Sequence, residues 1–424
     1  MSDERAVSEA ILRGRPAVPH DPDRLPKPPD PATVRLRSDE EALDAARRLA
    51  AVFAEGASER DRERRLPWEE LDLYSASGLG GITVPASHGG AQVSHVTLAE
   101  VFRILCAADP ALGQIPQNQF GVLGVVNQLG TPQQKRRIYS AVLAGQRLGN
   151  AGPERGTATI LHQTTRLSGK GSALELTGRR FYSTGALFAH WIPTRALDDE
   201  GRPVMALVKR DAAGLTVIDD WSSFGQRTTA SGSVVFDHVA VDPDDVLPVW
   251  QLADRPGLTG PVSQLIQAAI DAGIAAAAVA DTLAFVRERA RPWVDSGLTA
   301  AAEDPYLIQA VGKLQVDLHA ANEVLRLAAG TLDEVAAAPV SAASSARASI
   351  AVAEAKILTT EIALEASEKL FELAGSSSTR AAHNLDRHWR NARTHTLHDP
   401  VRWKYHALGN HALNGAHPKR HQWN

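Results

Sequence analysis

The segment from Trp389 to Lys404 holds side chains that can move protons. It reads WRNARTHTLHDPVRWK and contains His395 and His398 three residues apart, followed directly by an aspartate and a proline. Imidazole changes its charge near neutral pH, so either ring can donate or accept a proton. Residues three apart share one face of a helix, which predicts that both rings point inward from a single helical turn.

Two other interpretations of these histidines stay open on the sequence alone. Eight of the fifteen histidines fall between His383 and His421, so a local bias in composition also explains any one of them. A metal site is the second interpretation, and it would need a third ligand for which the sequence offers no known spacing.

Composition narrows the classes of protein to which the chain can belong. The 424 residues carry a net charge of -4, so no excess of positive charge is available to bind nucleic acid. Cys106 is the only cysteine, which excludes an internal disulfide and is typical of a reducing cytoplasm. The polar start MSDERAVSEA does not resemble a secretion signal, and the apolar stretch 265–286 carries two aspartates. We therefore predict a cytoplasmic protein without a membrane span, in which that stretch is a buried helix.

Prolines, helical spacing and β-branched residues divide the chain into four regions. Seven prolines between Arg15 and Pro31 predict an extended, poorly ordered arm. The predicted fold class is α+β and mainly α, with an antiparallel β-barrel or sandwich between two helical parts. The predicted regions are a Pro-rich arm at 1–35, an N-terminal helical domain at 36–145, a middle β-domain at 146–248 and a C-terminal four-helix bundle at 249–424.

Periodicity predicts individual elements within these regions. Apolar residues at helical spacing predict helices, and short runs of β-branched and aromatic residues between turns predict strands. The predicted helices are one capped by Ser38 and others at 68–77, 96–107, 131–144, 262–290, 305–337 and 341–374. The predicted strands are 173–182, 204–209, 215–218 and 233–241, and a turn is predicted at 168–172.

The glycine-rich stretch from Gly78 to Gly90, GLGGITVPASHGG, superficially suggests a dinucleotide-binding loop. The Rossmann fingerprint needs a glycine where Thr83 stands, and no strand precedes the stretch. We interpret it as a structural turn between two helices.

Four longer stretches carry a resemblance to one enzyme superfamily. They read VTLAEVFRILCAADPALGQIPQN, FYSTGALFAHWIP, DDWSSFGQRTTASGS and NLDRHWRNARTHTLHDPVRWKY. They resemble the acyl-CoA dehydrogenase superfamily and, within it, the branch of flavin-dependent monooxygenases that includes the sulfur-acquisition enzymes. The resemblance runs from about Leu66 to Gly415 and implies the same order of helical, β and helical parts.

This resemblance implies a chemistry that the residues alone do not give. It implies reduced FMN as the cofactor, with FAD as a possibility, delivered by a separate flavin reductase. It further implies capture of dioxygen as a flavin C4a-peroxide and oxygen transfer to a small organosulfur compound. The superfamily also implies a homotetramer, and the sequence shows no nicotinamide site.

The resemblance also assigns roles to individual residues. His398 would hydrogen-bond or protonate the flavin peroxide, while Asn150 and Thr184 would act at the flavin edge. The other implied flavin contacts are Trp221 as a wall, Ser231 at the polar edge and Arg287 on the phosphate. The implied substrate pocket comprises Gln114, Asn118, Gln119 and Phe120.

Each of these residue types also has a purely structural interpretation. Asn150 and Thr184 can cap turns, and Trp221 can pack in a core. Arg287 can lie on a solvated helix face, with Glu288 as its counter-charge.

Two positions depart from the pattern of the branch. Gln119 stands where the branch carries a histidine, and an amide can donate a hydrogen bond but cannot transfer a proton. Ser377 stands where the branch tends to carry an arginine, with Arg380 nearby, which leaves the phosphate contacts open.

Two rival functions remain. An FAD-dependent acyl-CoA dehydrogenase needs a carboxylate base that reaches the substrate α-proton, often a glutamate in this C-terminal region. Here the stretch HDPV offers Asp399, which is one methylene shorter and is restricted by Pro400. This favours oxygen chemistry. The second rival is a catalytically silent protein of the same fold that serves assembly.

Overall fold

The computed structural model describes residues 24–30, 32–157, 159, 162–171, 173–253, 255–421 and 423–424. Most of the predicted Pro-rich arm lies outside these residues. Its described parts, 24–30 and 32–35, are neither helix nor strand, and Lys27 forms a 3.0 Å ion pair with Asp72.

The N-terminal part is helical, as predicted. Its helices are α1 (Asp39–Ala54), α2 (Ala57–Glu63), α3 (Trp68–Ala76), α4 (His95–Ala108), α5 (Pro110–Gln114), α6 (Gln117–Leu129) and α7 (Pro132–Leu143). Ser38 caps α1, since its Oγ accepts a hydrogen bond from the amide of Glu41 at 3.1 Å. The stretch 78–90 lies between α3 and α4 as two short 3-10 turns, which confirms the predicted turn.

Seven strands form one sheet in the described residues of the middle of the chain. They are β1 (Arg166–Lys170), β2 (Ala173–Arg180), β3 (Trp191–Leu197), β4 (Pro203–Lys209), β5 (Leu215–Ile218), β6 (Ser233–Val241) and β7 (Val246–Leu247). Their spatial order is β5-β6-β2-β1-β3-β4-β7. Neighbouring strands are antiparallel except β1 and β3, which run parallel with Arg166 opposite Leu197. The sheet is therefore mixed, because one of its strand pairs is parallel. The sequence predicts an antiparallel domain, so the prediction is wrong at this pair.

The sequence patterns do not predict β1 and β3. The run 168–172 is predicted as a turn, yet residues 168–170 belong to β1, and Gly171 makes the turn with φ of +59°. β1 buries only Leu167, so it carries no apolar pattern that would predict a strand. It is recognised as a strand by its pairing with β2. β3 contains Pro193, and proline inside a run argues against a strand when the sequence is read alone.

Five α-helices are present in the described residues of the C-terminal part. They are α8 (Thr259–Glu288), α9 (Pro305–Ala336), α10 (Ala342–Ala374), α11 (Asp386–His395) and α12 (Arg402–Asn414). The three long ones begin and end within three residues of the predicted bounds, and α10 stops at Gly375 as predicted.

Helix α8 is the centre of the bundle, where it packs against α4, α9, α10 and α11. Gly273 allows the close approach of α4, because a Cβ there would lie 2.7 Å from the carbonyl oxygen of Arg103. Within the described part of the chain, α8 alone is long and apolar enough to cross a membrane, and 67% of its most apolar window is buried. It is the buried helix that the sequence predicts.

Candidate active site

Three hydroxyl groups of the β-domain form a hydrogen-bonded chain. Thr184 follows β2 and Ser231 precedes β6, and these two strands pair in the sheet. The Oγ of Ser231 lies 2.7 Å from Oγ1 of Thr184 and 2.7 Å from Oγ1 of Thr229. All three side chains are buried. The structure thus brings together two residues that the resemblance assigns to the flavin edge.

An aromatic surface lies beside these hydroxyls. The ring of Tyr182 is 6.1 Å from that of Trp221, edge to face, and Tyr182 is 51% exposed. Nε1 of Trp221 donates a hydrogen bond to the carbonyl of Gln226 at 2.9 Å, and Nδ2 of Asn150 donates to the carbonyl of Tyr182 at 3.4 Å. Asn150, Thr184, Trp221 and Ser231 therefore belong to one connected set of residues.

The loop 219–231, which carries Trp221 and Ser231, docks on helix α11. The amide of Gln226 donates to Oδ1 of Asn391 at 2.7 Å. Gly225 permits this contact, since a Cβ there would lie 1.9 Å from the carbonyl oxygen of Arg390. The β-domain part of the site and the helix that ends in His395 are thereby held against each other.

His395 is fully buried and bonded to a charge cluster. Its Nδ1 lies 2.5 Å from Oδ1 of Asp271, and the other oxygen of Asp271 lies 2.5 Å from Nζ of Lys356. Thr360 donates a further hydrogen bond to Oδ2 of Asp271 at 2.9 Å. Burial tends to raise the pKa of Asp271, but Lys356 and His395 outweigh it and lower this pKa to about 2.

His398 lies beyond the end of α11, so it does not share a helical face with His395, contrary to the sequence-based prediction. Its side chain is 38% exposed, and its Nδ1 lies 3.8 Å from Oδ1 of Asp399. It lines a cavity of about 620 Å³, together with Trp403, Lys404 and the C-terminal residues that include Trp423. One imidazole is therefore sealed in the interior and the other borders a solvent-accessible cavity.

Among the described residues, no group of three or more histidine, cysteine or acidic side chains is arranged to hold a metal ion. Instead, His395 bonds the carboxylate of Asp271, and His398 faces the carboxylate of Asp399.

Gln119 has a structural role in the described protein. Its Oε1 accepts a hydrogen bond from the amide of Leu148 at 2.8 Å, and its Nε2 donates to the carbonyl of Gly80 at 2.7 Å. The side chain joins the turn after α3 to the start of the β-domain. Both of its polar ends are occupied, so a substrate contact through this amide would have to break one of them.

The other residues assigned to the substrate pocket differ in their surroundings. Phe120 packs in the core against Phe102 with the ring centroids 5.4 Å apart. Gln114 is buried, and its Oε1 has no hydrogen-bond partner in the described chain. Asn118 is half-buried. Gln114 and Asn118 are thus the two polar members of this set that remain available to a ligand.

Arg287 is exposed near the end of α8 and lies sixteen residues beyond Asp271. That separation is about 24 Å along the helix axis. In the described part of the chain its guanidinium has neither a hydrogen bond nor an ion pair, and its assignment to a phosphate stays a prediction. Ser377, the second departure from the branch pattern, is exposed in a short 3-10 turn.

Comparisons with known proteins identify the family. The acyl-CoA dehydrogenase N-terminal domain matches residues 37–146, and the acyl-CoA dehydrogenase C-terminal domain matches residues 265–403. Dibenzothiophene monooxygenase of Mycolicibacterium goodii is 31% identical over 404 residues, which cover 92% of this chain and 97% of that protein. The chain belongs to the acyl-CoA dehydrogenase family, in its flavin-dependent monooxygenase branch.

Two further proteins of this branch match along most of their length. The probable FMNH2-dependent monooxygenase SfnC of Pseudomonas putida is 31% identical, over 89% of this chain and 96% of that protein. The crystal structure of FMN-bound TdsC from Paenibacillus sp. A11-2 is 32% identical and superposes with a TM-score of 0.86, over 90% of this chain and 100% of that one. The predicted family, fold class and enzyme class are confirmed.

Two charged residues beside His395, Asp271 and Lys356, lie outside the motifs quoted from the sequence. Asp271 and Lys356 lie 85 residues apart, on helices with long alanine-rich stretches. The only available signal is a charged residue inside an otherwise apolar helix, because such a residue needs a buried partner. Lys404, whose Nζ lies 3.5 Å from Asp399, belongs to the segment 389–404 but is not among the residues predicted for the site.

Proposed function

We propose that this chain is the oxygenase component of a two-component system that transfers one oxygen atom from dioxygen to a small organosulfur compound. FMN is its cofactor, used in the reduced form. The names of the dibenzothiophene monooxygenase relative and of the FMNH2-dependent relative support this substrate class and this cofactor.

One contact carries the proposal, namely the hydrogen bond from the amide of Gln226 to Asn391. It holds the loop with Trp221 and Ser231 against the helix that ends in His395. A flavin ring needs a flat apolar wall, polar groups along its edge and a nearby group that exchanges protons. The contact supports a site in which the wall and the polar edge lie against the helix that directly precedes His398, the residue proposed to exchange protons.

Unpaired polar atoms at this loop fit a polar ligand such as the isoalloxazine ring. Oγ of Ser183 and both polar atoms of the Gln226 side chain are buried without a hydrogen-bond partner in the described chain. Such an atom costs about 1–3 kcal/mol when nothing satisfies it. Bound reduced FMN supplies the activation of dioxygen, while Thr184 and Ser231 hold the ring edge and His398 holds or moves a proton.

The dehydrogenase rival needs a carboxylate that is free to act as a base, and Asp399 does not fit this role. Burial tends to raise the pKa of Asp399, but His398, Lys356 and Lys404 together bring it below its ordinary value. A carboxylate held ionised by cations is a weak proton acceptor. Asp399 is better suited to balance the charge of Lys404.

The proposal extends to partners and assembly. The glycine-rich turn 78–90 offers no βαβ unit for a nicotinamide cofactor, which supports a separate flavin reductase as the electron source. Large exposed apolar side chains on α9 and α12, among them Val316, Leu327 and Leu413, support self-association, for which we favour a homotetramer. A single cysteine, buried and free, is consistent with the cytoplasm.

The decisive experiment supplies reduced FMN and ¹⁸O-labelled dioxygen to the enzyme with dibenzothiophene or a small alkyl sulfinate. We expect a product that carries one ¹⁸O atom, detected by mass spectrometry. Reduced FMN also reacts with oxygen unaided, so the control omits the enzyme, and catalase removes peroxide in both reactions.

A complementary experiment addresses the dehydrogenase rival. The enzyme is loaded with oxidised flavin and mixed with acyl-CoA in the absence of oxygen, and the flavin absorbance is recorded. We expect no bleaching. Stoichiometric bleaching, together with no labelled product in the first experiment, would establish the dehydrogenase instead.

A further inference from the structure

A second cavity lies outside the candidate active site. It has a volume of about 270 Å³ and is lined by residues from α1, α2, α4, α5, α8 and α11. None of the residues assigned to the flavin or to the substrate pocket, all of which the structure describes, lines it. The loop 219–231 reaches it through Thr228. The cavity is therefore a separate candidate site, and its size suits a small ligand.

Much of the lining of this cavity is apolar and made of small side chains. Seven alanines and Pro110 contribute to it, and five of the alanines come from the N-terminal helices α1, α2, α4 and α5. An alanine side chain is a single methyl group, so these helices leave space that longer side chains would fill. Apolar surface gains free energy when it leaves water, so this part of the cavity favours a short hydrocarbon chain.

The charged part of the lining is predominantly negative. Three carboxylates face the cavity, while Arg387 is the one lining residue among those described that carries a permanent positive charge. The carboxylates are those of Asp61, Asp109 and Asp281. The first two pair with guanidiniums of residues that do not line the cavity, Arg390 and Arg60. Because the nearer charge has the stronger effect, the cavity attracts a cation.

Asp281 has one carboxylate oxygen that the protein does not use. Its Oδ2 accepts hydrogen bonds from Nη2 of Arg387 and from Nε2 of His388, both at 2.7 Å, whereas Oδ1 has no partner in the described chain. Burial tends to raise the pKa of Asp281, but His388 and Arg387 outweigh it and lower this pKa to about 2. The free oxygen thus belongs to an ionised carboxylate, and the side chain is 37% exposed, so solvent reaches it.

His388 offers a second acceptor beside Asp281. Its Nε2 carries the hydrogen that it donates to the carboxylate, so Nδ1 keeps its lone pair, and no residue that the structure describes bonds this atom. Burial lowers the pKa of His388 more than Asp281 raises it. The ring is therefore neutral at pH 7, and its Nδ1 can accept a hydrogen bond from a ligand.

Thr228 offers a third acceptor from the other side of the domain boundary. The residue is 2% exposed, and its hydroxyl has no hydrogen-bond partner within the described ranges of the chain. A buried hydroxyl normally has such a partner, and its absence costs free energy. Since Thr228 lines the cavity, a bound ligand can supply the missing hydrogen bond.

We infer that this cavity binds a small organic ammonium ion with a short hydrocarbon chain. The three N–H groups of a primary ammonium match the three free acceptors, and its chain lies against the alanines. The acceptors are Oδ1 of Asp281, Nδ1 of His388 and Oγ1 of Thr228. Such an ion stays charged at pH 7, because its pKa resembles that of lysine. The site is additional to the proposed oxygenase function and adjoins it through the loop 219–231.

The test titrates the full chain with n-butylammonium chloride in a calorimeter. We expect saturable binding, and binding of n-butanol that is at least roughly tenfold weaker, because the alcohol has the same chain without the charge. Asp281→Asn removes the charge of the carboxylate and should weaken n-butylammonium binding by roughly tenfold.

Thr228→Val removes one hydroxyl and keeps the shape of the side chain, so it should weaken binding of n-butylammonium by roughly three- to tenfold. The matched control is Thr282→Val, which should bind like the wild type. Thr282 is also buried and is the neighbour of Asp281, but its hydroxyl bonds the carbonyl of Ala278 within α8 at 2.7 Å, and it does not line the cavity.

Three outcomes overturn the inference. They are no saturable binding of n-butylammonium up to about 20 mM, equal affinity for n-butanol, and unchanged affinity in Thr228→Val, which would place the ion elsewhere in the protein. If Asp281→Asn does not fold, Thr228→Val decides, because its hydroxyl makes no hydrogen bond that the described chain would lose. No flavin is present in these titrations, so each outcome leaves the proposed function as it stands.

Discussion

Asp271 and His395 are 124 residues apart in the chain, yet Oδ1 of one lies 2.5 Å from Nδ1 of the other, out of contact with solvent. The pair connects the central helix of the bundle to the short helix on which the loop 219–231 docks. Because Lys356 shares the same carboxylate, any change in this pair alters both the packing of the bundle and the protonation of an imidazole in the site.

Lys356→Met leaves the Asp271 carboxylate without its cation. Breaking a buried ion pair typically costs about 3–5 kcal/mol, and we expect that loss in the free energy of unfolding at pH 8. The loss should shrink at pH 5.5. Removing Lys356 raises the pKa of His395, and the protonated ring then supplies the missing positive charge next to Asp271. Urea unfolding at the two pH values measures the difference.

Lys313→Met is the matched control for this variant, since Lys313 pairs with Asp317 and Glu365 at the surface and its side chain is 61% exposed. An exposed pair contributes at most about 1 kcal/mol. An equal loss at both pH values in Lys356→Met would mean that His395 does not respond to the charge of Lys356.

His190 should make the protein sensitive to mild acid. Its Nδ1 accepts a hydrogen bond from the amide of Arg147 at 2.9 Å, and its Nε2 bonds the carbonyl of Lys27 at 2.8 Å, so the ring is neutral. Burial lowers the pKa of His190 to about 4. In the unfolded chain the His190 ring binds a proton near pH 6.5, whereas in the folded protein it does so only near pH 4. The contribution of the neutral ring to the free energy of unfolding is therefore complete above pH 6.5 and is lost as the pH falls towards 4.

His190→Asn tests this dependence because asparagine keeps an acceptor for the amide of Arg147 and does not titrate. Thermal unfolding is followed from pH 7 to pH 4. We expect the wild type to lose up to about 3 kcal/mol relative to the variant over this range. His238→Asn, at an exposed histidine, should keep the wild-type pH profile. Parallel profiles for wild type and His190→Asn would refute the assignment.

The long helices follow from the sequence because each one buries a stripe of apolar residues at a regular spacing. That is why the predicted helix 305–337 is found as Pro305–Ala336. Strand β3 cannot be predicted from the sequence, because Pro193 interrupts its pattern of residues. Its identity as a strand depends on its pairing with the neighbouring strand β4. Elements that depend on a distant partner leave little trace in local periodicity.

The residues of the candidate site also differ in whether the sequence predicts their neighbours. Thr184 and Ser231 lie in two of the stretches that carry the family resemblance. The resemblance assigns both to the flavin, and their hydroxyls are 2.7 Å apart. The partners of His395 come from two other helices, and a lone Asp271 in an apolar helix does not reveal which cation it bonds. The predicted helical turn shared by both histidines is wrong because α11 ends at His395.

Gln119→Ala should destabilise the protein rather than change its substrate. It leaves the carbonyl of Gly80 and the amide of Leu148 without partners in a buried place. We expect a loss of about 1–3 kcal/mol in the free energy of unfolding. Asn118→Ala is the comparison, since Asn118 is half-buried and should change stability by less than about 0.5 kcal/mol. A raised KM in Asn118→Ala with normal stability would support its place in the substrate pocket.

Thr184→Val removes the hydroxyl that meets Ser231 and keeps the shape of the side chain. If this hydroxyl holds the flavin edge, the affinity for FMN should fall by roughly three- to tenfold, as expected for one hydrogen bond. Quenching of flavin fluorescence measures the dissociation constant. Thr216→Val, at an exposed position of β5, is the control and should bind FMN like the wild type. Unchanged affinity in Thr184→Val would leave the threonine with a structural role alone.

Arg287→Gln tests whether this exposed guanidinium binds the flavin phosphate. A charge-assisted contact to phosphate should be worth roughly tenfold in affinity, and only for a ligand that carries the phosphate. We therefore expect weaker binding of FMN and unchanged binding of riboflavin. The control is Arg289→Gln two residues later, where the guanidinium lies over the ring of Phe285. Equal binding of FMN by Arg287→Gln and wild type would assign Arg287 to the solvated face of α8, and the phosphate would then need another cation.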